Sequence, residues 1–202
     1  MQACCSKVIC SGCDHANKIR EMEASLVPSC SFCRKPIPDT GDKADEMMMK
    51  RIEANDPVAL RHEGFLQYHK GDHQSAFQYF TKAAGLGDVQ AHYHLSLLYG
   101  DGHGVEKDKQ KEIYHLEEAA IGGHPDARFN LGCEEEESGN IERAVKHFII
   151  VANQGHDSIK ALMEYFKKGF VSKEDLAAAL RAHQAAVDAT KSPQRDTAEE
   201  YY

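Results

Sequence analysis

Ala59, Ala91, Ala127 and Ala161 recur at intervals of 32, 36 and 34 residues, and each opens a stretch patterned as two short helices. A period of this length is that of helical-hairpin repeats, in which one hairpin cannot bury its apolar face alone and stacks on the next. The chain is therefore predicted to be all-α, an α-solenoid of about four helical hairpins. Such an array offers an extended surface, so the period points to binding before catalysis.

The second helix of each hairpin carries an apolar trio at i, i+3 and i+7. The trios are Phe77, Phe80 and Ala84, then Ile113, Leu116 and Ala120, then Val145, Phe148 and Ala152. That spacing puts each trio on one helical face, with a small alanine where helices approach closely. Gly87, Gly123 and Gly155 follow the trios, as expected of C-caps where the chain reverses. Asn55, Asp56 and Pro57 open the first repeat with a capping residue and a proline in the first turn. Gly71 and Gly139 mark the turns inside the first and third hairpins. The second has the longer connection Gly100–Val105, which accounts for its 36-residue period.

Leu95, Tyr99, Gly102, Gly104, Val105 and Asp108, followed by Ala119, Ala120 and Gly123, resemble the Sel-one-like repeat, a relative of the tetratricopeptide repeat. The resemblance covers about residues 55–170. It implies a right-handed solenoid serving as an adaptor or scaffold for protein partners. It also implies that Arg61, Tyr93 and Phe129, each two residues after a repeat alanine, form a partner-binding column lining the groove; the alternative is that the aromatics are packed between repeats. Glu63 stands where Leu95 and Leu131 stand, and Glu134 and Glu135 replace Leu98 and Tyr99, so the first and third repeats are expected to pack less tightly. The run Glu134–Glu137 reads as a solvated helix end rather than a basic-partner site. Ser172–Asp175 matches a capping box, and Leu176, Leu180 and Val187 follow at near-helical spacing, predicting a capping helix over 172–192. A polar tail over 193–202 is expected to be disordered.

Six of the seven cysteines fall within the first 33 residues. Cys10 and Cys13 form one CxxC pair and Cys30 and Cys33 another, with 16 residues between, a spacing suited to tetrahedral structural zinc. A segment of about 40 residues with few large apolar side chains gains from a metal what its core lacks. Cys133 is read as a small buried hydrophobe. His15 could substitute as a ligand but reads as an ordinary surface histidine, and His69 and His73 are discounted as a metal pair because Gly71 lies between them.

Cys4-Cys5 and the two CxxC pairs, the second followed by Arg34, resemble the last three quarters of a RING finger. That resemblance makes Cys4, Cys5, Cys10, Cys13, Cys30 and Cys33 the metal ligands of a truncated RING-type zinc module over residues 1–38. Two arrangements stay open: Cys30 and Cys33 with Cys4 and Cys5, or all four CxxC cysteines on one ion. It further implies a ubiquitin-conjugating enzyme as a partner, with Arg34 at the position that orients ubiquitin. The first ligand pair is absent, and Ser31 replaces the proline common in the last pair.

Residues 39–54 read as a linker and lead-in helix, with Met47, Met48 and Met49 filling a seam before the repeats at 55–171. A net charge of −8 with no basic stripe disfavours nucleic acid, and no apolar stretch approaches the roughly 20 residues that span a bilayer. With no leader pattern at the amino terminus, the chain is expected to be intracellular, most simply cytoplasmic. The expected function is a protein-interaction scaffold with structural Zn2+ and no catalytic residues. The rival is a RING-type ubiquitin ligase whose repeats recruit substrate. A hydrolytic metalloenzyme needs an open coordination position beside a general base, and no such pattern occurs.

Overall fold

The computed structural model describes residues 11–30, 35–192 and 197. Among these residues ten helices run in order: α1 (Ser11–Glu23), α2 (Gly41–Glu53), α3 (Pro57–His69), α4 (His73–Gly85), α5 (Val89–Asp101), α6 (Lys109–Ile121), α7 (Pro125–Glu137), α8 (Ile141–Ala152), α9 (Ile159–Lys167) and α10 (Lys173–Thr190). The expected all-helical solenoid is what forms. The chain divides into two compact units, residues 1–60 with 191–202 and residues 61–190, and α3 crosses the boundary between them.

In the first unit, α1 runs straight through Cys13 and His15. The expectation of a bare zinc knuckle there underweighted ordinary helix-forming residues, among them an Asp14–Lys18 pair one turn apart, 2.8 Å between charges. His15 is buried, not the surface histidine expected from sequence. After α1 the chain doubles back in a minimal hairpin: Cys30 N donates to Lys35 O (2.8 Å) and Ile37 N to Pro28 O (2.9 Å), around one antiparallel bridge between Ser29 and Pro36. Glu21 braces this turn, its Oε1 accepting from the Ser29 hydroxyl (2.7 Å) and backbone N–H (3.1 Å). Those hydrogen bonds, led by the Ser29 hydroxyl, lower the Glu21 pKa and favour the carboxylate. Thr40 caps α2, whose residues are all at least partly exposed; Met47 and Met48 are half-buried and Met49 points outward.

The second unit stacks its helices in sequence order, α4 on α5, α6 on α7, α8 on α9, with α10 closing against α8 and α9. Each predicted trio residue is buried or half-buried, and Phe80, Leu116 and Phe148 are each 1% exposed. Helix starts are capped as the sequence suggests: Asp72 accepts from Ser75 N, Asp88 from Ala91 N, and Asp108 from Gln110 and Lys111 N. Ser172 accepts from Asp175 N (3.0 Å) and returns its hydroxyl proton to that carboxylate (2.8 Å). Gly87, Gly123 and Gly155 all adopt positive φ, between 84° and 89°. The fourth hairpin departs from the pattern. Its first helix has nine residues, and Ala161 is only half-buried where Ala91 and Ala127 are fully so.

Two glycines inside helices carry a packing role the period alone does not reveal. A Cβ at Gly64 would meet the Phe80 ring at 2.8 Å, and one at Gly132 would meet Phe148 at 2.7 Å. In the second repeat the matching positions are Ser96 and Leu116, so a smaller partner faces a slightly larger one. Bare helix backbone is what admits the rings, since interiors are packed too densely for either side to give way. In the long second connection, Gly104 sits at φ 72° against the His73 backbone carbonyl, where a side chain would be strained as well as blocked. Replacing Gly104 with alanine is therefore expected to cost more than the roughly 1 kcal/mol of an ordinary glycine change; an unchanged urea midpoint would refute this.

Candidate functional site: the first-helix face of the repeats

The column Arg61, Tyr93 and Phe129 is regular in space as well as in sequence, and each member reaches toward the repeat that follows. Arg61 Nε bonds Asp88, 3.1 Å to Oδ2 and 3.0 Å to Oδ1, and the same carboxylate caps α5. Tyr93 stacks on His124 (centroids 4.2 Å, 27°). Phe129 packs against His156 (5.2 Å) and Phe148 (5.3 Å). All three are half-buried. Burial, helped by the Asp126 carboxylate, raises the Tyr93 pKa. These residues join repeat to repeat, the alternative that sequence left open for the two aromatics. Arg61 and Asp88 form a partly buried pair, so Asp88→Ala, which removes both cap and counter-ion, is expected to lower stability by about 2 kcal/mol. Thermal denaturation of that variant, with Asp88→Asn as the variant that keeps the cap, checks it.

Histidines perform structural work along the same face. His124 caps α7: its Nδ1 accepts from Ala127 N (3.3 Å) while Nε2 lies 3.0 Å from the Gln90 side-chain oxygen. Only the neutral ring with its proton on Nε2 does both. His94 stacks flat on Phe80 (4.7 Å, 19°), and its pKa is pushed down to about 4, chiefly by burial, with Arg61 and His124 contributing and Asp88 opposing. His92 and His115 face each other through their Nδ1 atoms at 3.0 Å, and His115 stacks on Tyr99. Burial, then His92 and Lys111, brings the His115 pKa to about 4. His73 stacks on His103 (4.7 Å, 13°), a packing contact. Among the described residues no group of three or more His, Cys, Asp or Glu side chains is arranged to hold a metal ion.

Between α3 and α5 lies a cavity of about 220 Å³. Its floor is Phe80, His94 and Leu98, its walls Phe65, Tyr68 and Leu97, and Asp101 stands at its edge with His69. Phe65 and Leu97 remain 44% and 38% exposed, unusual for large apolar residues on a packed helix pair. Sequence reasoning passed over this site because its walls come from two helices about 30 residues apart. The acidic run is partly committed: Glu134 bonds Lys109 and Glu135 bonds Arg143 (2.7 Å). Glu136 and Glu137 are exposed. Cys133 packs half-buried on the core cluster of α8, α9 and α10, its thiol pKa raised mainly by burial.

Of the six metal-ligand expectations, Cys4, Cys5, Cys10 and Cys33 lie outside the described residues, as do Arg34 and, apart from Thr197, the tail from residue 193 onward. Cys13 is exposed on α1 and Cys30 is buried in the hairpin. No helix among the described residues is long and apolar enough to cross a membrane.

Comparison with known proteins agrees with the repeat geometry. The family described as Sel1 repeat matches residues 60–88, 89–124 and 125–156, just under half of the chain. Two solved structures have a similar fold. A Sel1 repeat protein from Oxalobacter formigenes is 21% identical with a TM-score of 0.62, over 89% of this chain and 72% of that one. A protective antigen of uropathogenic Escherichia coli strains displaying an SLR fold is 20% identical with a TM-score of 0.56, over 82% of this chain. This chain spans 37% of the antigen's length. No curated protein matches the sequence. Residues 60–156 thus carry Sel1 repeats, each built as a helical hairpin, and no RING finger is found beside them.

Proposed function

We propose that this protein is a protein-interaction scaffold whose partner docks on the first-helix face of α3 and α5. The observation that carries the reading is the open aromatic cavity with Phe65 and Leu97 left exposed, on helices whose other faces are committed to packing. The absence of a coordination cluster among the described residues gives that face no chemistry of its own to perform. Binding is therefore carried by apolar area with a polar rim, as at most recognition surfaces. The column Arg61, Tyr93 and Phe129 serves this role by fixing the spacing of neighbouring repeats, with Arg61 at the edge of the docking face.

A photo-crosslinking residue placed at Leu97 and, as control, at Tyr114 on α6 tests the proposal in cells. A discrete covalent partner is expected from Leu97 and none from Tyr114, and Phe65→Ala should weaken that purified partner at least tenfold without altering helicity. Equal labelling from both sites, or none from either, overturns the scaffold reading.

The zinc module belongs to the same proposal as a structural clasp. Its support is the paired CxxC spacing together with the backbone hairpin that holds Cys30 buried and brackets the second pair. Thiolates from Cys10, Cys13, Cys30 and Cys33, with Cys4 and Cys5 as the further pair, are the ligands expected to hold the metal. Metal analysis of carefully reduced protein is expected to find one to two zinc ions per chain, lost in Cys30→Ser; none would remove the clasp. The ligase alternative rests only on the RING-like cysteine and Arg34 pattern. Incubation with ubiquitin, activating enzyme and a panel of conjugating enzymes is expected to yield no chains, and chains abolished by Cys30→Ser would reverse that conclusion.

A further inference from the structure

We infer that the α3–α5 cavity is a lysine-reading pocket: it takes the aliphatic stem of one lysine side chain from a basic peptide segment and pairs the ammonium with Asp101. The inference rests on the scaffold reading and specifies its partner. At about 220 Å³ the cavity is smaller than the roughly 300–1,000 Å³ of sites that enclose a cofactor or drug-sized ligand, so it suits one side chain. Its floor and walls are apolar or aromatic, which suits a methylene stem, and Phe65 and Tyr68 offer ring faces to a cation.

Charge then chooses among apolar-stemmed occupants. No lysine or arginine lines the cavity, and Asp101, 62% exposed, stands at its mouth. His103 Nδ1 is 4.0 Å from that carboxylate, too far to occupy it by hydrogen bonding. The nearest fixed cation on the face, Arg61, is neutralised by Asp88. One repeat further on, the matching end of α7 carries Glu136 and Glu137, both exposed, so a segment lying across α5 and α7 meets acid after acid. The whole chain carries −8. An acidic segment is repelled by the same groups, and a purely apolar one leaves Asp101 idle at the rim.

The test is amide NMR titration of the full-length protein with three nonapeptides of alanine, glycine and serine that differ only in a central lysine, norleucine or glutamate. The lysine peptide is expected to shift amides of residues 65–69 and 94–101 and to bind about fivefold tighter than norleucine, the scale of an exposed ion pair. Glutamate should not bind. Asp101→Asn, at an exposed helix end, should erase the lysine preference while leaving norleucine binding unchanged, and Leu97→Lys should block both. Norleucine binding as tightly as lysine, a preference that survives Asp101→Asn, or no shifts at those amides would each overturn the pocket. If crosslinking from Leu97 still finds a partner in any of those cases, only the lysine assignment falls and the scaffold reading stands.

Discussion

Phe148→Ala is expected to cost about 3–5 kcal/mol, the range for emptying a fully buried aromatic site. Its ring lies against bare backbone at Gly132, packs on Phe129 at 5.3 Å, and stacks on Tyr165 at 5.8 Å and 20°. Removing it opens a void shared by α7, α8 and α9. The converse change is as informative. Gly132→Ala would gain about 1 kcal/mol from helix propensity at an open site. Here the added methyl meets a ring that is 1% exposed and cannot swing aside, so a net loss of about 1–3 kcal/mol is expected. The second repeat supplies the rescue, since it pairs Ser96 with Leu116 at these positions. Gly132→Ala with Phe148→Leu should therefore be more stable than the sum of the single changes predicts, by at least 0.5 kcal/mol in a double-mutant cycle from urea unfolding. Strict additivity would mean the ring and the glycine are not coupled.

Acid is expected to loosen the repeats well above the range in which carboxylates titrate. His94 has a folded-state pKa of about 4 against an ordinary value of 6.5, so the unfolded chain binds a proton that the folded chain refuses between those limits. The stabilisation is fully present above pH 6.5 and is lost as pH falls toward 4. For this largely buried ring the shift corresponds to about 3 kcal/mol. His115 acts in the same direction, with a smaller effect because it is half-exposed. His124 adds a local mechanism: burial lowers its pKa, and a proton on Nδ1 abolishes the acceptor that caps α7. Urea midpoints measured from pH 7 to pH 4.5 should fall steadily, and His94→Gln should flatten the part of the slope that His94 carries. A midpoint that stays level between pH 7 and pH 5 would contradict the burial of these neutral rings.

Several features of the second unit were legible along the chain because their causes are local. The spacing of Phe77, Phe80 and Ala84 needs only the helical period to define a face, and Asp72, Asp88 and Asp108 need only their next turn to act as caps. Gly87, Gly123 and Gly155 are required by the reversal that follows each trio. Local signals also explain one misreading: the CxxC spacing drew attention away from the helix-forming residues after Cys13, which build α1 and bury His15.

Other features had no local cause. Gly64 and Gly132 are glycine because of rings that arrive from the following helix. Arg61, Tyr93 and Phe129 share one sequence position, yet an ion pair, a ring stack and an aromatic packing contact hold them, and the partner in each case comes from the following repeat. The cavity beside Asp101 exists only once α3 and α5 lie side by side.

The sequence by itself determined a helical array with its period, its caps and its turns, since each of these is settled within a few residues of chain. Which side chains meet between hairpins, which histidines stay neutral and where an aromatic hollow remains open were decided by the tertiary structure. Those outcomes depend on distance and dielectric between residues some 30 positions apart, and neither quantity exists until the helices have packed.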